Sequence, residues 1–409
     1  MTHDQTTGDE HPVGKPTGDA VRTVTALLPG LAAAAAERDS ERALPYEEVA
    51  RISEAGLYAL TVPQEHGGAD VSVSTLTEVF RLLSVADPNL GQIPHSHYVF
   101  LEALRLKGTP DQQRRFFAEV LGGARYANAQ TERGGRTITE DATTLTPDPA
   151  DPAGFRLNGD KFYATGSLFA DRLLVRAVLP EPRPDGSPDK ALAFVPSGAV
   201  GVTVEDDWDA MGQRTTGSGT VRLRDVSVPL TDVVPYSSVF DNPSSYGSFA
   251  QVLHAAIDAG IARAALGAAK EHVARARPWF EAGGDRAVDD PLLVQTAGEA
   301  EITVRGAEAL VREAAALVDI ARTAPDAENT AEASIATAVA KVAAARASVS
   351  ASSVLFELAG TRSVLGSLNL SRFWRDARTH TLHDPVRWKV QHVGRWLLDD
   401  AAPPRHGQI

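Results

Sequence analysis

From Tyr246 to Gly360 the chain carries alanine at helical spacing, relieved by short apolar stripes. Ile335, Val339, Val342, Val349 and Phe356 fall along one face of a long helix, and Leu310, Ala314, Leu317 and Ile320 along another. Gly360 supplies a stop. Side chains this small let helix axes approach closely, so the segment specifies a tight bundle, and one that suits sharing between subunits. No internal repeat is visible, so the rest of the fold must come from segments of different character.

The whole chain has 409 residues, enough for two or three subdomains. Its 40 basic and 53 acidic residues leave a net charge of −13, which argues against nucleic acid or an anionic membrane as partner, since both reward clustered Lys and Arg. No apolar run approaches the roughly 20 residues that span a bilayer. The start, Met1-Thr2-His3-Asp4-Gln5, lacks the basic and apolar regions of a secretory signal, so a cytoplasmic location is expected. There are no cysteines, which removes disulfides, thiolate metal sites and a Cys nucleophile together.

In chain order, residues 1–17 read as a disordered tail and 18–123 as a helical N-terminal domain. Thr109-Pro110-Asp111 is a helix start, with a hydroxyl cap and proline in the first turn. Residues 124–235 change character. Leu173–Val178, Ala191–Val195 and Thr220–Val228 are short apolar runs, with turns expected at Asp148–Pro152, Asn158-Gly159 and Pro184–Pro188. Val221 and Leu223 alternate with Arg222 and Arg224, the period of a half-buried strand. Residues 236–409 form the C-terminal helical bundle. The expected class is mainly α with a central β domain.

Five stretches hold residues that chemistry can use. Arg375–Pro385 places His380, His383 and Asp384 within five residues, with Asp384-Pro385 reading as an N-cap and first helical position. Pro94-His95-Ser96-His97-Tyr98 opens a helix; Tyr126–Gly135, containing Asn128 and Thr131, is a strand entering a glycine turn; Lys161–Ser167 contains Thr165. Asp206–Gly219 sets Trp208 beside a run of Gly, Thr, Ser and Arg, which suits a flat ligand with polar edges. His380 and His383 also form an H-x-x-H pair, but with no thiolate and no clear third ligand the expected metal is none.

Asn158-Gly159-Asp160-Lys161, Met211-Gly212-Gln213-Arg214 followed by Ser218-Gly219, and Arg375-Asp376-Ala377 together resemble the acyl-CoA dehydrogenase superfamily. That resemblance covers nearly the whole chain beyond the tail. It implies a helical N-terminal domain, a β-barrel-like middle domain and a C-terminal four-helix bundle, usually assembled as a homotetramer. Gly212–Gly219, Ala276-Arg277-Pro278-Trp279 and Arg378–Pro385 resemble the flavin-dependent monooxygenase branch more closely. Where a dehydrogenase has its catalytic Glu followed by Gly-Thr, this chain has Asp384-Pro385-Val386. Proline has no backbone N–H to offer there.

The monooxygenase branch implies reduced FMN delivered by a separate flavin reductase. It also implies O₂ captured as a C4a-hydroperoxyflavin and transfer of oxygen to a small sulfur-containing or nitrogen-containing substrate, as in sulfur metabolism and desulfurisation. By the same resemblance His97 and His383 line the reactive edge, with His380 and Asp384 in support. Asn128, Thr131 and Thr165 bond the flavin, Trp208 covers it, and Arg277 and Arg362 serve its phosphate, Arg277 from a neighbouring subunit. His95 has no such backing and is expected to be a surface or packing residue. The alternative is an FAD-dependent acyl-CoA dehydrogenase with Asp384 as base. No G-x-G-x-x-G follows a strand, so NAD(P)H is not expected to bind this chain.

Overall fold

The computed structural model describes residues 19–137 and 140–408; the expected disordered tail lies outside them. The N-terminal helices are α1 (Ala20–Ala32), α2 (Ala35–Glu41), α3 (Tyr46–Glu54), α4 (Val73–Ala86), α5 (Pro88–Gln92), α6 (His95–Lys107) and α7 (Pro110–Leu121). Thr109 caps α7 as expected, in a reciprocal capping box with Gln112.

The middle of the chain supplies β1 (Tyr126–Ala129), β2 (Thr144–Asp148), β3 (Asp151–Lys161), β4 (Arg172–Val178), β5 (Lys190–Pro196), β6 (Val202–Glu205), β7 (Thr220–Pro229) and β8 (Val233–Pro235). They form one mixed sheet in the order β6-β7-β3-β2-β4-β5-β8, with β1 parallel to β4. The period of two divides its side chains between two cores. Leu174, Leu192, Phe194 and Val234 join the helical core, where Phe194 stacks on Phe116 of α7 at 4.3 Å. Leu173, Val175, Ala193 and Val195 build the sheet's own core with Val221 and Leu223. The turn expected at Asn158-Gly159 is instead an irregularity inside β3, where the missing Cβ of Gly159 makes room for the Thr143 side chain.

The bundle comprises α8 (Tyr246–Val273), α9 (Pro291–Thr323) and α10 (Ala327–Ala359), followed by α11 (Ser371–His380) and α12 (Val386–Asp399). The expected stripes are rotated. On α10 the buried face is Thr337, Ala340, Lys341, Ala344, Ser348, Ala351 and Leu355, while Ile335, Val339, Val349 and Phe356 are only half-buried. On α9 the core takes Val304, Ala307, Val311, Ala314, Val318 and Ala321, and Ile320 stays 49% exposed. Small residues occupy the seam because they permit the closest helix approach, which displaces the bulky ones to its flanks. Contrary to the sequence reading, α8 and α10 are long and apolar enough to cross a bilayer. The apolar window of α8 is 78% buried inside the protein, however, and that of α10 is 56% buried, so both lie in the core of this fold.

Candidate active site

The loop after β6 is held against α11 by the motifs read as signatures. Gly212 lies so close to the Arg375 carbonyl that a Cβ would stand 2.1 Å from its oxygen, so only glycine fits. Gln213 adopts a left-handed φ of 51°, donates its backbone N–H to Asp376 Oδ1 at 2.6 Å, and accepts through its carbonyl from Trp208 Nε1 (2.8 Å) and Thr216 Oγ1 (3.0 Å). Arg375 Nη1 donates to Met211 O at 2.7 Å.

Gln213 also orients a chain of hydroxyls. Thr216 spends its proton on Gln213 O, so in the 2.7 Å contact with Ser218 the serine is the donor. Thr165 in turn donates to Ser218 Oγ at 2.8 Å and keeps its own lone pairs free. Asn128 on β1 donates to Tyr163 O at 3.3 Å, and its carbonyl oxygen, like the Thr131 hydroxyl, has no hydrogen bond among the described residues. Tyr163, at φ 56°, presents a ring that is 45% exposed, and Trp208 stands edge-on to it at 6.0 Å.

The second half of the site is a cluster of imidazoles where α6, α8, α10 and α11 meet. His380, the last residue of α11, donates Nδ1–H to Asp258 Oδ1 at 2.5 Å, and Lys341 on α10 donates to the other oxygen at 2.9 Å. His380 Nε2 shares a hydrogen bond of 3.1 Å with His254 Nδ1. His254 and Asp258 are one turn apart on the same face of α8. His95 stacks on His254 at 3.7 Å and donates its Nε2–H to Ala250 O at 2.8 Å. The His383 ring lies 4.1 Å from His254 and 6.5 Å from His95, on the open side of the cluster.

Desolvation disfavours the charged form of three of these rings, those of His95, His254 and His383. It pushes His95 down to about 3, His383 down to about 4, and His254 well below the ordinary imidazole value, and the Lys341 charge adds to the effect on all three. Burial raises the Asp258 carboxyl, but Lys341 and His380 outweigh it and keep Asp258 ionised.

One expectation is corrected here, the helix cap at Asp384. His97 does not join the cluster: its Nε2–H donates to Tyr58 O at 2.8 Å and its Nδ1 accepts from Tyr126 N–H at 3.0 Å, so both nitrogens tie backbone together. His95, expected as a surface or packing residue, is buried and packs on His254. Asp384 does not cap α12: its residue is 2% exposed, and Oδ2 pairs with Lys389 Nζ at 2.5 Å, because a carboxylate this deep requires a countercharge more than a turn requires a cap. Burial raises Asp384, but Lys341, His383 and Lys389 together draw it down to about 2.

Arg277 and Arg362 are exposed, and their side chains make no hydrogen bond or ion pair among the described residues. Arg277 lies past the end of α8, in the loop before α9. Sequence reasoning missed His254, Asp258 and Lys341. Their signal was a His and an Asp at i, i+4, and a lone Lys, inside alanine-rich helices. No group of three or more His, Asp or Glu able to hold a metal occurs among the described residues.

The hydroxyl chain, the open Asn128 oxygen and the exposed Tyr163 ring fit a flavin, whose flat ring carries hydrogen-bonding groups on its edge. Comparisons with known proteins agree. Residues 21–124, 127–226 and 252–388 match the acyl-CoA dehydrogenase N-terminal, middle and C-terminal domains. The chain is 31% identical over 397 residues to a dibenzothiophene monooxygenase of Mycolicibacterium goodii, covering 94% of this chain and 95% of that one. It is 29% identical to a probable FMNH2-dependent monooxygenase, SfnC, of Pseudomonas putida, covering 96% and 98%. The crystal structure of TdsC from Paenibacillus sp. A11-2 with FMN and indole superposes with a TM-score of 0.89 at 31% identity, over 96% of this chain and all of that one. A three-domain architecture, a flavin-shaped donor set and this degree of identity along the whole length lead to one assignment: the chain belongs to the acyl-CoA dehydrogenase superfamily, among its flavin-dependent monooxygenases.

Proposed function

We propose that this enzyme is the oxygenase of a two-component system that takes reduced FMN from a separate flavin reductase and oxygenates a small sulfur-containing or nitrogen-containing substrate. The FMN supplies the capture of O₂, as a C4a-hydroperoxide. The protein's own residues hold the ring, exclude water and govern protons. Asn128, Thr131 and Thr165 take the ring edge, Thr165 as an acceptor because its proton is committed to Ser218. Trp208 covers the ring, and Arg277 and Arg362 meet the phosphate. His383 faces the reacting atoms, and His380 and Asp384 fix its surroundings.

One observation carries this reading over acyl-CoA dehydrogenation. Asp384, at the place of the dehydrogenase base, is sealed against Lys389 at 2.5 Å and drawn to about 2. A carboxylate that acidic is a poor acceptor for the proton beside an acyl thioester. Beside it stand the imidazoles of His95, His254 and His383, whose charged form the site disfavours and which can then donate and accept hydrogen bonds without bringing a charge.

The assembly we propose is a homotetramer. Leu292 and Ile302 on α9 are each 72% exposed, and Leu397 and Leu398 on α12 are 79% and 86% exposed, a surface that a single chain leaves bare. The unpaired Arg277 and Arg362 are then available to a neighbouring subunit's flavin. The test is reconstitution: the chain plus reduced FMN and O₂ should convert a sulfide or amine to its oxide, while FAD and an acyl-CoA without O₂ should give no flavin reduction. Flavin reduction by acyl-CoA would overturn the reading.

A further inference from the structure

Asp376 on α11 is 1% exposed, too deep to touch a ligand itself. Its Oδ1 reaches across to the loop after β6 and accepts the backbone N–H of Gln213 at 2.6 Å. Gln213 needs such a partner. A residue other than glycine at a left-handed φ, here 51°, is strained and persists only where its surroundings fix it. α11 grips this loop at three successive positions. Arg375 Nη1 donates to Met211 O at 2.7 Å, the Arg375 carbonyl fills the space that a Gly212 Cβ would need, and Asp376 takes Gln213.

Gln213 in turn holds the groups that fit a flavin edge. Its carbonyl receives both Trp208 Nε1 and Thr216 Oγ1. Thr216 and Ser218 are 1% and 5% exposed and 2.7 Å apart, and Ser218 meets Thr165 at 2.8 Å. Thr165 is the first hydroxyl of this chain on a half-buried residue, beside Asn128, whose backbone N–H donates to the Thr165 carbonyl at 3.4 Å. A continuous route therefore runs from the buried carboxyl of Asp376 to an indole and a hydroxyl at the open side. The other anchors of the loop bypass that route. Gln213 Nε2 donates to Pro88 O and Thr215 N–H to Asn89 Oδ1, each at 3.2 Å, which keeps the loop on α5 without engaging the Gln213 backbone. One turn after Asp376, on the same buried face of α11, stands His380 with its bonds to Asp258 and His254. One helix thus holds the flavin loop with one residue and the imidazole cluster with another.

We infer that Asp376 is a positioning residue for the flavin: by accepting from Gln213 it sets Trp208 and the Thr165 hydroxyl, and through α11 it keeps them in register with the imidazoles. This rests on the FMN reading of the site and adds a residue outside the set that meets the ring. The role requires an acceptor and not a charge, so asparagine can fill it and alanine cannot.

The test is titration of FMN into the native protein, Asp376→Ala and Asp376→Asn, with the visible absorbance of the bound flavin recorded beside thermal melts. Asp376→Ala should bind FMN about tenfold or more weakly and move its absorbance bands toward those of free FMN. Asp376→Asn should restore both. Thr216→Val cuts the same route while leaving α11 untouched and should reproduce the alanine effect, so it decides the matter if Asp376→Ala does not fold. Native FMN affinity and bands in Asp376→Ala, at a lowered melting temperature, would overturn the inference: Asp376 would then be structural only, with the flavin reading intact. Native values in Thr216→Val would sink it as well, as would an asparagine variant as weak as the alanine one. A native protein that takes up no FMN would bring down the flavin reading and the inference with it.

Discussion

Lys389 and Asp384 form an ion pair 2.5 Å long in which each side chain is 1% exposed, and it lies one residue from the open imidazole of His383. Breaking such a pair from one side leaves an uncompensated buried charge. Lys389→Met should therefore destabilise the protein by about 3–5 kcal/mol, and the double variant with Asp384→Asn should recover much of that. Denaturant unfolding of the native protein and the two variants measures it. An unchanged midpoint for Lys389→Met would show that the pair contributes nothing.

His383 and His97 separate by role. His383→Ala should keep FMN binding and divert reduced FMN and O₂ largely to H₂O₂. His97→Ala removes partners from Tyr58 O and Tyr126 N–H and should cost roughly 2–4 kcal/mol of stability, with the coupling ratio of the folded enzyme little changed. Peroxide and product assays beside thermal melts distinguish them. A large coupling defect in His97→Ala at unchanged stability would reverse the assignment.

His95, which is buried, and His383 make the fold acid-sensitive. Each is neutral when folded but takes a proton near the ordinary imidazole value of about 6.5 when unfolded, so its stabilisation is full above that pH. It is lost as the pH falls toward about 4 for His383 and about 3 for His95. Removing one ring as His95→Phe should reduce the stability lost between about pH 7 and about pH 4.5 by up to roughly 3 kcal/mol. Equal pH dependence in the two proteins would mean that His95 is not held neutral.

Asp376 has the opposite sign. Burial pushes its carboxyl up to about 7, against the backbone N–H of Gln213 that draws it down. The folded state keeps a proton that the unfolded chain releases above about 4, so stability falls as pH rises from about 4 to about 7. Asp376→Asn can still accept from Gln213 and should be more stable than the native protein at about pH 8, by no more than roughly 4 kcal/mol. Loss of stability at that pH would mean that the ionised form is the one the fold prefers.

Much of this was legible in the sequence where the signal is local. The alternation of Val221 and Leu223 with arginines, the cap at Thr109, and the motifs around Gly212 and Arg375 each depend on a few adjacent residues. What failed depends on distance. His95 meets Ala250, 155 positions away, and His380 meets Asp258, 122 positions away. Asp384 reads as a cap by its neighbours alone, and only the fold brings a buried Lys389 to claim it. The α9 and α10 stripes were misplaced for a related reason. Bulk in a helical sequence suggests the core, whereas the helix seam selects for smallness.

The most direct test of the central claim is a stopped-flow experiment in which the protein, loaded anaerobically with reduced FMN, is mixed with O₂ while flavin absorbance and H₂O₂ are followed. The account predicts a long-lived oxygen adduct, distinct from both reduced and oxidised FMN, that releases peroxide slowly and is discharged faster by an oxidisable substrate. Immediate return to oxidised FMN with stoichiometric H₂O₂ and no intermediate would contradict it.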